Sequence, residues 1–186
     1  VVTLPVAEIR RLISHEDVEL LSESSVMCFR PSGQSVAPSQ GPIDVQEAAF
    51  PLQPEMPSGD PVVALLDGLP LENHQRLAGR IRVDDPDNYG EGYAAAERQH
   101  GTSMASIILH GDLNTPSMPL RHPLYERPIL RPDPRSWNRS RDERIPHGVN
   151  TLDLTHRAVR RLFEPDGTTA PVAPTVKIIN FSIGDP

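Results

Sequence analysis

The sequence predicts an α/β fold in which an open, mostly parallel sheet carries helices on both faces and is preceded by a small α/β segment. Two apolar runs, at 61–67 and 175–182, lack polar alternation, which is typical of strands buried on both faces of a parallel sheet. Two segments with helical periodicity, at 102–110 and 152–163, lie between these runs. Strand, helix, helix and strand at these lengths indicate βα units.

Composition divides the 186 residues into three parts. Residues 1–30 are predicted to form the small α/β segment, because Pro5 suits a first helical turn and 26–29 suits a short buried strand. Residues 31–60 are rich in Pro, Ser, Gly and Gln and are predicted to be a linker. Residues 61–186 hold the predicted sheet. The alternative, in which 1–30 packs directly on the sheet domain, stays open.

Within the sheet domain, the first helix is predicted to end at Gly111, because glycine commonly follows the last residue of a helix. Residues 112–150 fit no regular element well and are rich in proline and arginine. The preferred interpretation is a solvated insertion with one short strand at 124–130. A loop that binds phosphate or docks a partner is the alternative.

Bulk composition argues against several classes of protein. A formal charge of −7 and few aromatic residues oppose a nucleic-acid binder that would use the arginines of 121–144. No apolar run reaches the roughly eighteen residues that a membrane span needs, so no membrane partner is expected. The single cysteine, Cys28, leaves no intrachain disulfide and favours a reducing compartment. We therefore expect a cytoplasmic location.

Two side chains are suited to acid–base chemistry. Asp67 follows a predicted buried strand, and catalytic groups gather at the carboxyl ends of parallel strands. His100 begins a predicted helix, where the helix dipole disfavours the protonated ring and a carboxylate on one ring nitrogen would orient the imidazole as a base. Each residue alone also fits a structural role, since Asp-Gly is a common turn and a lone histidine is usually structural.

Three ordered motifs in residues 61–186 resemble those of the subtilisin-like serine proteases. The first is VVALLDG at 62–68, followed by His74 at the family's spacing. The second is HGTSMAS at 100–106, and its histidine follows the aspartate by 33 residues. The third is KIINFSIG at 177–184. The resemblance implies that the sheet domain is the N-terminal part of a subtilisin-like catalytic domain, and therefore an incomplete one.

The resemblance implies a serine endopeptidase that hydrolyses peptide or protein substrates with an Asp-His-Ser triad, of which this chain carries only Asp67 and His100. His100 would be the base, oriented by Asp67, and the reaction would pass through an acyl-enzyme. No cofactor and no metal are expected. The residues implied in substrate binding end the third motif: Ser182, Ile183 and Gly184. Phe181 is then expected to point into the core, because side chains alternate along a strand.

The nucleophile of this triad is not identified within the chain. The sequence begins with Val1 rather than Met and stops at Pro186, directly after an apolar run, so we expect a fragment that lacks both ends of a longer protein. The nucleophilic serine and the oxyanion-hole asparagine are expected after Pro186, and the chain alone is expected to be inactive. Asn180 is interpreted as strand packing, and His74 as structural.

Ser103 lies in the string GTSMA, which resembles the surroundings of the family's nucleophile. We interpret Ser103 instead as a helix-packing residue. The proline of the nucleophile string is missing, and the family's nucleophile lies downstream of the third motif. In addition, a spacing of three residues from His100 seldom gives triad geometry.

Two departures from the resembled pattern concern the aspartate and the insertion. The Thr or Ser that the family has between its aspartate and glycine is missing at Asp67-Gly68, and 112–150 is longer than in compact members. The acidic string DDPDN is predicted to be a solvated turn, with a calcium site as the alternative. Its carboxylates are Asp84, Asp85 and Asp87.

The function prediction has an alternative from another class, a non-catalytic subtilase-like module that binds peptides or a partner protein. A Gly-Thr-Ser-x-Ala-x-Pro string further along the full-length sequence would favour the enzyme, and its absence would favour the module. The chain also resembles bacterial intracellular subtilases that accompany ATPases, which implies an ATPase partner.

Overall fold

The structure is a computed structural model that describes four stretches of the chain: 33–34, 55–113, 118–136 and 141–183. The predicted segment at 1–30, most of the predicted linker and Gly184 lie outside the described residues. None of the helices in the described part of the chain has both the length and the apolar composition that a membrane span requires.

The described elements are short, as the 21 prolines predict. The strands are β1 (Gly33–Gln34), β2 (Val63–Asp67), β3 (Ile81–Val83), β4 (Leu124–Pro128), β5 (Arg131–Pro132), β6 (Glu143–Arg144) and β7 (Ile178–Phe181). The helices are α1 (Gln99–His110), α2 (Thr151–Phe163) and a 3-10 helix at Ala95–Glu97. Gly111 ends α1 with a φ of 70°, which confirms the predicted end of that helix.

The main sheet has four parallel strands in the order β3-β4-β2-β7, which confirms the predicted open parallel sheet. A second, antiparallel sheet has the order β1-β6-β5. Its first strand pairs Gly33 with Arg144, so two residues of the segment predicted as a linker are hydrogen-bonded to the sheet domain.

The two helices cover opposite faces of the main sheet, as predicted. Leu65 of β2 packs with Ala105 of α1, whereas its neighbours in the strand pack against the α2 side. Ala64 lies in a cluster with Leu162, and Leu66 lies in a cluster with residues of the first turns of α2. Because side chains alternate along a strand, Asp67 projects from the same face as Leu65, toward α1.

The prediction that 112–150 is a solvated insertion is wrong for β4. All five residues of β4 are buried, and the strand lies between β3 and β2 in the sheet. The short strand predicted at 124–130 is present, but Glu126 and Arg127 argued against its burial, because charged residues are seldom fully buried unless they are paired. Arg127 is paired with Asp87, at a distance of 2.7 Å between Nη2 and Oδ2.

The acidic string is not the solvated turn that the sequence predicted. Asp84 accepts hydrogen bonds from Arg161 of α2 and from the Tyr125 hydroxyl of β4, and Asp87 binds Arg127 and Arg157. Burial alone would raise the pKa of Asp84, but its bonds to Arg161 and Tyr125 outweigh burial, so the pKa is lowered. These ion pairs stabilise the packing of α2 on the sheet.

The prediction that Phe181 points into the core is also wrong, because its side chain is 42% exposed. Among the described residues β7 pairs only with β2 and therefore forms an edge of the sheet. At the edge of the sheet, a side chain on the face that α2 covers can still extend beyond the residues of that helix and reach solvent. Ile179 faces α2 and is partly buried against it, whereas Ile178 is exposed.

Candidate active site

Asp67 and His100 lie side by side at the carboxyl end of the main sheet. The distance between His100 Nδ1 and Asp67 Oδ1 is 3.0 Å. Asp67 is fully buried, and the His100 side chain is 29% exposed. Asp67 Oδ1 also accepts the backbone N–H of Gly68 at 2.7 Å, which holds the carboxylate against its own turn. A buried carboxylate thus faces an imidazole that retains access to solvent.

Glycines allow the helix that carries His100 to approach the turn that carries Asp67. A Cβ atom on Gly101 would overlap with the carbonyl group of Gly68, at 2.8 Å from its carbonyl carbon. Thr102 reinforces this contact, because its Oγ1 accepts the backbone N–H of Leu71 at 2.9 Å. The residues after His100 therefore serve the close packing of α1 on the turn after β2.

The bond to Asp67 determines the chemistry of the imidazole. It raises the pKa of His100, against an opposing effect of partial burial, and the charge of Glu143 adds to the increase. In the neutral ring, a proton on Nδ1 that is donated to Asp67 leaves Nε2 as the basic nitrogen. The pair can therefore accept a proton at Nε2 and stabilise the imidazolium that forms.

A buried tyrosine and a buried glutamate, which no sequence motif indicated, lie beneath the same turn. The Tyr93 hydroxyl is 2.6 Å from Glu143 Oε1 and 3.1 Å from the carbonyl oxygen of Leu130, and it accepts the backbone N–H of Leu69 at 3.4 Å. Burial raises the pKa of Glu143 to about 7, and the charge of Asp67 acts in the same direction. Burial likewise raises the pKa of Tyr93.

Glu126 of β4 is a third buried carboxyl on this side of the sheet. It is aligned with Leu65 in the parallel register, so both side chains project toward α1. Neither carboxyl oxygen of Glu126 has a hydrogen-bond partner among the described residues. Burial raises the pKa of Glu126 well above its usual value, and the charge of Asp67 raises it further. Burial therefore favours the neutral form of Glu126.

Replacing Glu126 with Met is expected to stabilise the fold by about 1–3 kcal/mol, because a buried polar group without partners is removed at similar volume. A carboxyl whose pKa is raised by folding loses its contribution to stability as the pH rises from the unfolded toward the folded pKa. The gain should therefore be larger at pH 8 than at pH 5 in urea unfolding. Glu126→Gln, which keeps a polar group but cannot ionise, is the control: it should give little gain at pH 5 and should show only the pH-dependent part of the gain at pH 8.

A loss of stability in Glu126→Met would contradict this expectation. It would show that the burial of this carboxyl does not cost stability.

The third motif lies beside the Asp67–His100 pair. Leu66 is aligned with Phe181 in the register of β2 and β7, so Ser182 follows next to Asp67. The Ser182 hydroxyl donates a hydrogen bond to Asn180 Oδ1, which places both side chains on one face. Ile183 is partly buried against the cluster that contains Leu66. Gly184 lies outside the described residues.

Ser103 does not have the packing role that the sequence predicted. Its side chain is exposed on α1, because it lies on the side of the helix that faces away from Ala105 and the sheet. His74 forms part of the turn after β2, where its Nδ1 accepts the backbone N–H of Arg76 at 3.4 Å. Over the described stretches, no group of three or more His, Cys, Asp or Glu side chains is arranged to hold a metal ion.

Comparisons with models of known protein families, with curated proteins and with solved structures found no significant match to this chain. The function of this chain is therefore inferred from the geometry of the Asp67–His100 pair and from the three sequence motifs.

Sequence reasoning missed Glu143 and Tyr93 because both lie in loops or very short strands without periodicity. One sequence signal pointed toward them. The aspartate is followed directly by Gly68, where the resembled motif has Thr or Ser, and a missing side chain next to a buried aspartate leaves space that another residue must fill.

Proposed function

We propose that this chain carries the aspartate and the base of a serine endopeptidase, a hydrolase that cleaves peptide bonds through an Asp-His-Ser triad. The observation that carries the proposal is the 3.0 Å contact between His100 Nδ1 and Asp67 Oδ1. The two residues lie 33 positions apart in the sequence and belong to different elements. The motifs around both resemble the corresponding motifs of the subtilisin-like serine proteases.

In this proposal, His100 Nε2 takes the proton of a serine hydroxyl as its oxygen attacks the carbonyl carbon of the scissile peptide bond. Asp67 holds the ring in the required tautomer and compensates the positive charge that develops on it. His100 then donates the proton to the leaving amine. A water molecule that gives a proton to the same base then hydrolyses the acyl-enzyme. The resemblance assigns the serine to a region downstream of β7.

The substrate is proposed to lie along the end of β7. Ser182 follows the strand next to Asp67, and the resemblance extends the binding segment through Ile183 to Gly184. An extended peptide that pairs with this segment would be held by main-chain hydrogen bonds, which suits an endopeptidase with an extended cleft.

Labelling of the full-length protein with a fluorophosphonate tests the proposal. The reagent reacts with a serine whose hydroxyl is activated by a neighbouring base, so one serine downstream of residue 183 should be modified. Peptide mapping by mass spectrometry identifies that serine, and His100→Ala should abolish its modification. Modification of Ser103, or labelling that persists in His100→Ala, would overturn this assignment of the triad.

A non-catalytic module that binds peptides is the second candidate. The exposed apolar side chains of the edge strand β7, Ile178 and Phe181, favour it, because such an edge can bind an extended segment of another chain. A full-length protein that fails to react with fluorophosphonate but binds peptides would support this module. The likeness to bacterial intracellular subtilases further suggests a cytoplasmic location and an ATPase partner.

A further inference from the structure

The carboxyl group of Glu143 occupies the space beside Asp67 that the absent side chain of Gly68 leaves open. A Cβ atom on Gly68 would overlap with Glu143 Oε1 and would lie 2.7 Å from Glu143 Cδ. Gly68 does not have a positive φ, so its backbone would accept another residue. A larger residue at this position would therefore displace the Glu143 carboxyl, whereas the conformation of the turn does not demand glycine.

The hydrogen bonds around Tyr93 are all satisfied when Glu143 carries a proton. The hydroxyl has a single proton and two acceptors within reach, Glu143 Oε1 at 2.6 Å and the Leu130 carbonyl oxygen at 3.1 Å. If Tyr93 donates to Leu130, a protonated Glu143 can donate to the Tyr93 oxygen. If Glu143 is ionised, Tyr93 must donate to it instead. Glu143 and the turn at Leu69 are thus joined through one hydroxyl group.

We propose that Glu143 is a positioning residue of the Asp67–His100 pair: its carboxyl fills the space beside Gly68, fixes the turn through Tyr93, and supplies a second negative charge to His100 when it ionises. This inference rests on the proposed function and adds a residue to that site. Several ionisable groups from the surrounding elements interact with Glu143: Asp67 of β2, Tyr93, Glu97 of the 3-10 helix, His100 of α1 and Glu126 of β4.

The charge on Glu143 matters because it acts on a proton acceptor. Ionised Glu143 favours the protonated form of His100, as Asp67 does. Glu97 is not free to play this part, since it is bound by Arg141 at 2.6 Å and by the backbone N–H of Ala94. Burial raises the pKa of Glu126 well above its usual value and favours its neutral form. The pKa of Glu143, which burial raises to about 7, places its change of charge near neutral pH.

The test uses four variants of the full-length protein. Glu143→Gln keeps an acceptor for Tyr93 but cannot ionise, and Glu143→Ala empties the space beside Gly68. Glu143→Ala combined with Gly68→Ser refills that space with the side chain that the resembled motif has. The single variant Gly68→Ser completes the cycle, and it should be destabilised because its side chain overlaps with Glu143.

The first readout is the titration of the His100 ring by NMR, which does not require that the protein cleaves anything. In Glu143→Gln, His100 should titrate at a lower pH than in the wild type. Identical titration curves would overturn the electrostatic part of the proposal. Failure of the proposed function is distinguishable, because it would leave this titration shift intact while no serine reacts with fluorophosphonate.

The second readout is peptide cleavage and its pH profile. Glu143→Ala should lower kcat about tenfold with KM little changed, because orientation is lost and substrate contacts are not. The acid limb of the profile should move to lower pH in Glu143→Gln. The combined variant should recover activity and stability relative to Gly68→Ser. If the losses caused by Glu143→Ala and Gly68→Ser simply add in the combined variant, Glu143 and Gly68 do not share one space. That result would overturn the positioning role.

Discussion

His100→Ala and Asp67→Ala should each lower the rate of peptide cleavage by the full-length protein by several orders of magnitude. His100 supplies the base, and the buried Asp67 carboxylate, 3.0 Å from Nδ1, holds its tautomer. The measurement is kcat and kcat/KM on a peptide substrate for variants shown to be folded by circular dichroism.

Two control variants keep this expectation specific. His156→Ala removes an exposed histidine of α2, and Ser103→Ala removes an exposed hydroxyl one turn from His100. Both should retain nearly full activity. Full activity in His100→Ala, or loss of activity in a folded Ser103→Ala, would contradict the assignment of the base and of the serine.

Gly101→Ala should disrupt the site without changing any group that takes part in chemistry. The added methyl group would overlap with the backbone carbonyl of Gly68, and a backbone group cannot rotate aside as a side chain can. The helix must therefore move away from the turn, at a cost of about 1–3 kcal/mol. A displacement of about 1 Å between catalytic groups is enough for a loss of about 100-fold in rate.

Urea unfolding and cleavage kinetics measure the two effects. Ser103→Ala serves as the matched control, because it adds helix propensity in the same turn without entering the contact. A Gly101→Ala variant with unchanged stability and unchanged cleavage would show that α1 does not need its close approach to Gly68.

The sequence predicted the architecture well where burial was uniform. The run that became β2 had no charged residue before Asp67, and α2 had a clear apolar stripe at Leu154, Ala158 and Leu162, so both were found near their observed bounds. β4 was placed correctly along the chain but interpreted as part of a solvated loop. Its charged residues Glu126 and Arg127 lie in the core, and their environment depends on residues distant in sequence.

The candidate site was predictable as far as local motifs reach. Asp67 and His100 were identified from the residues around them. Their separation of 33 residues in the sequence, however, does not determine the distance between their side chains. Glu143 could not be predicted in this way, because it lies in a strand of only two residues. Its place beside Asp67 becomes apparent only from its close packing against Gly68. The prediction for Phe181 failed for a related reason. Alternation along a strand predicts the face on which a side chain lies, but not whether another residue covers it there.

The order of strands in the main sheet has a consequence for how the chain folds as it is synthesised. β2 lies between β4 and β7, and the contact from Thr175 Oγ1 to the carbonyl oxygen of Pro61 joins residues 114 positions apart. One side of the strand that ends in Asp67 thus stays unpaired until the ribosome has released the β7 segment. Loops of this length close slowly, since their entropy is lost before any strand contact forms. The nascent chain therefore has an exposed apolar strand edge while the residues between β2 and β7 are being synthesised.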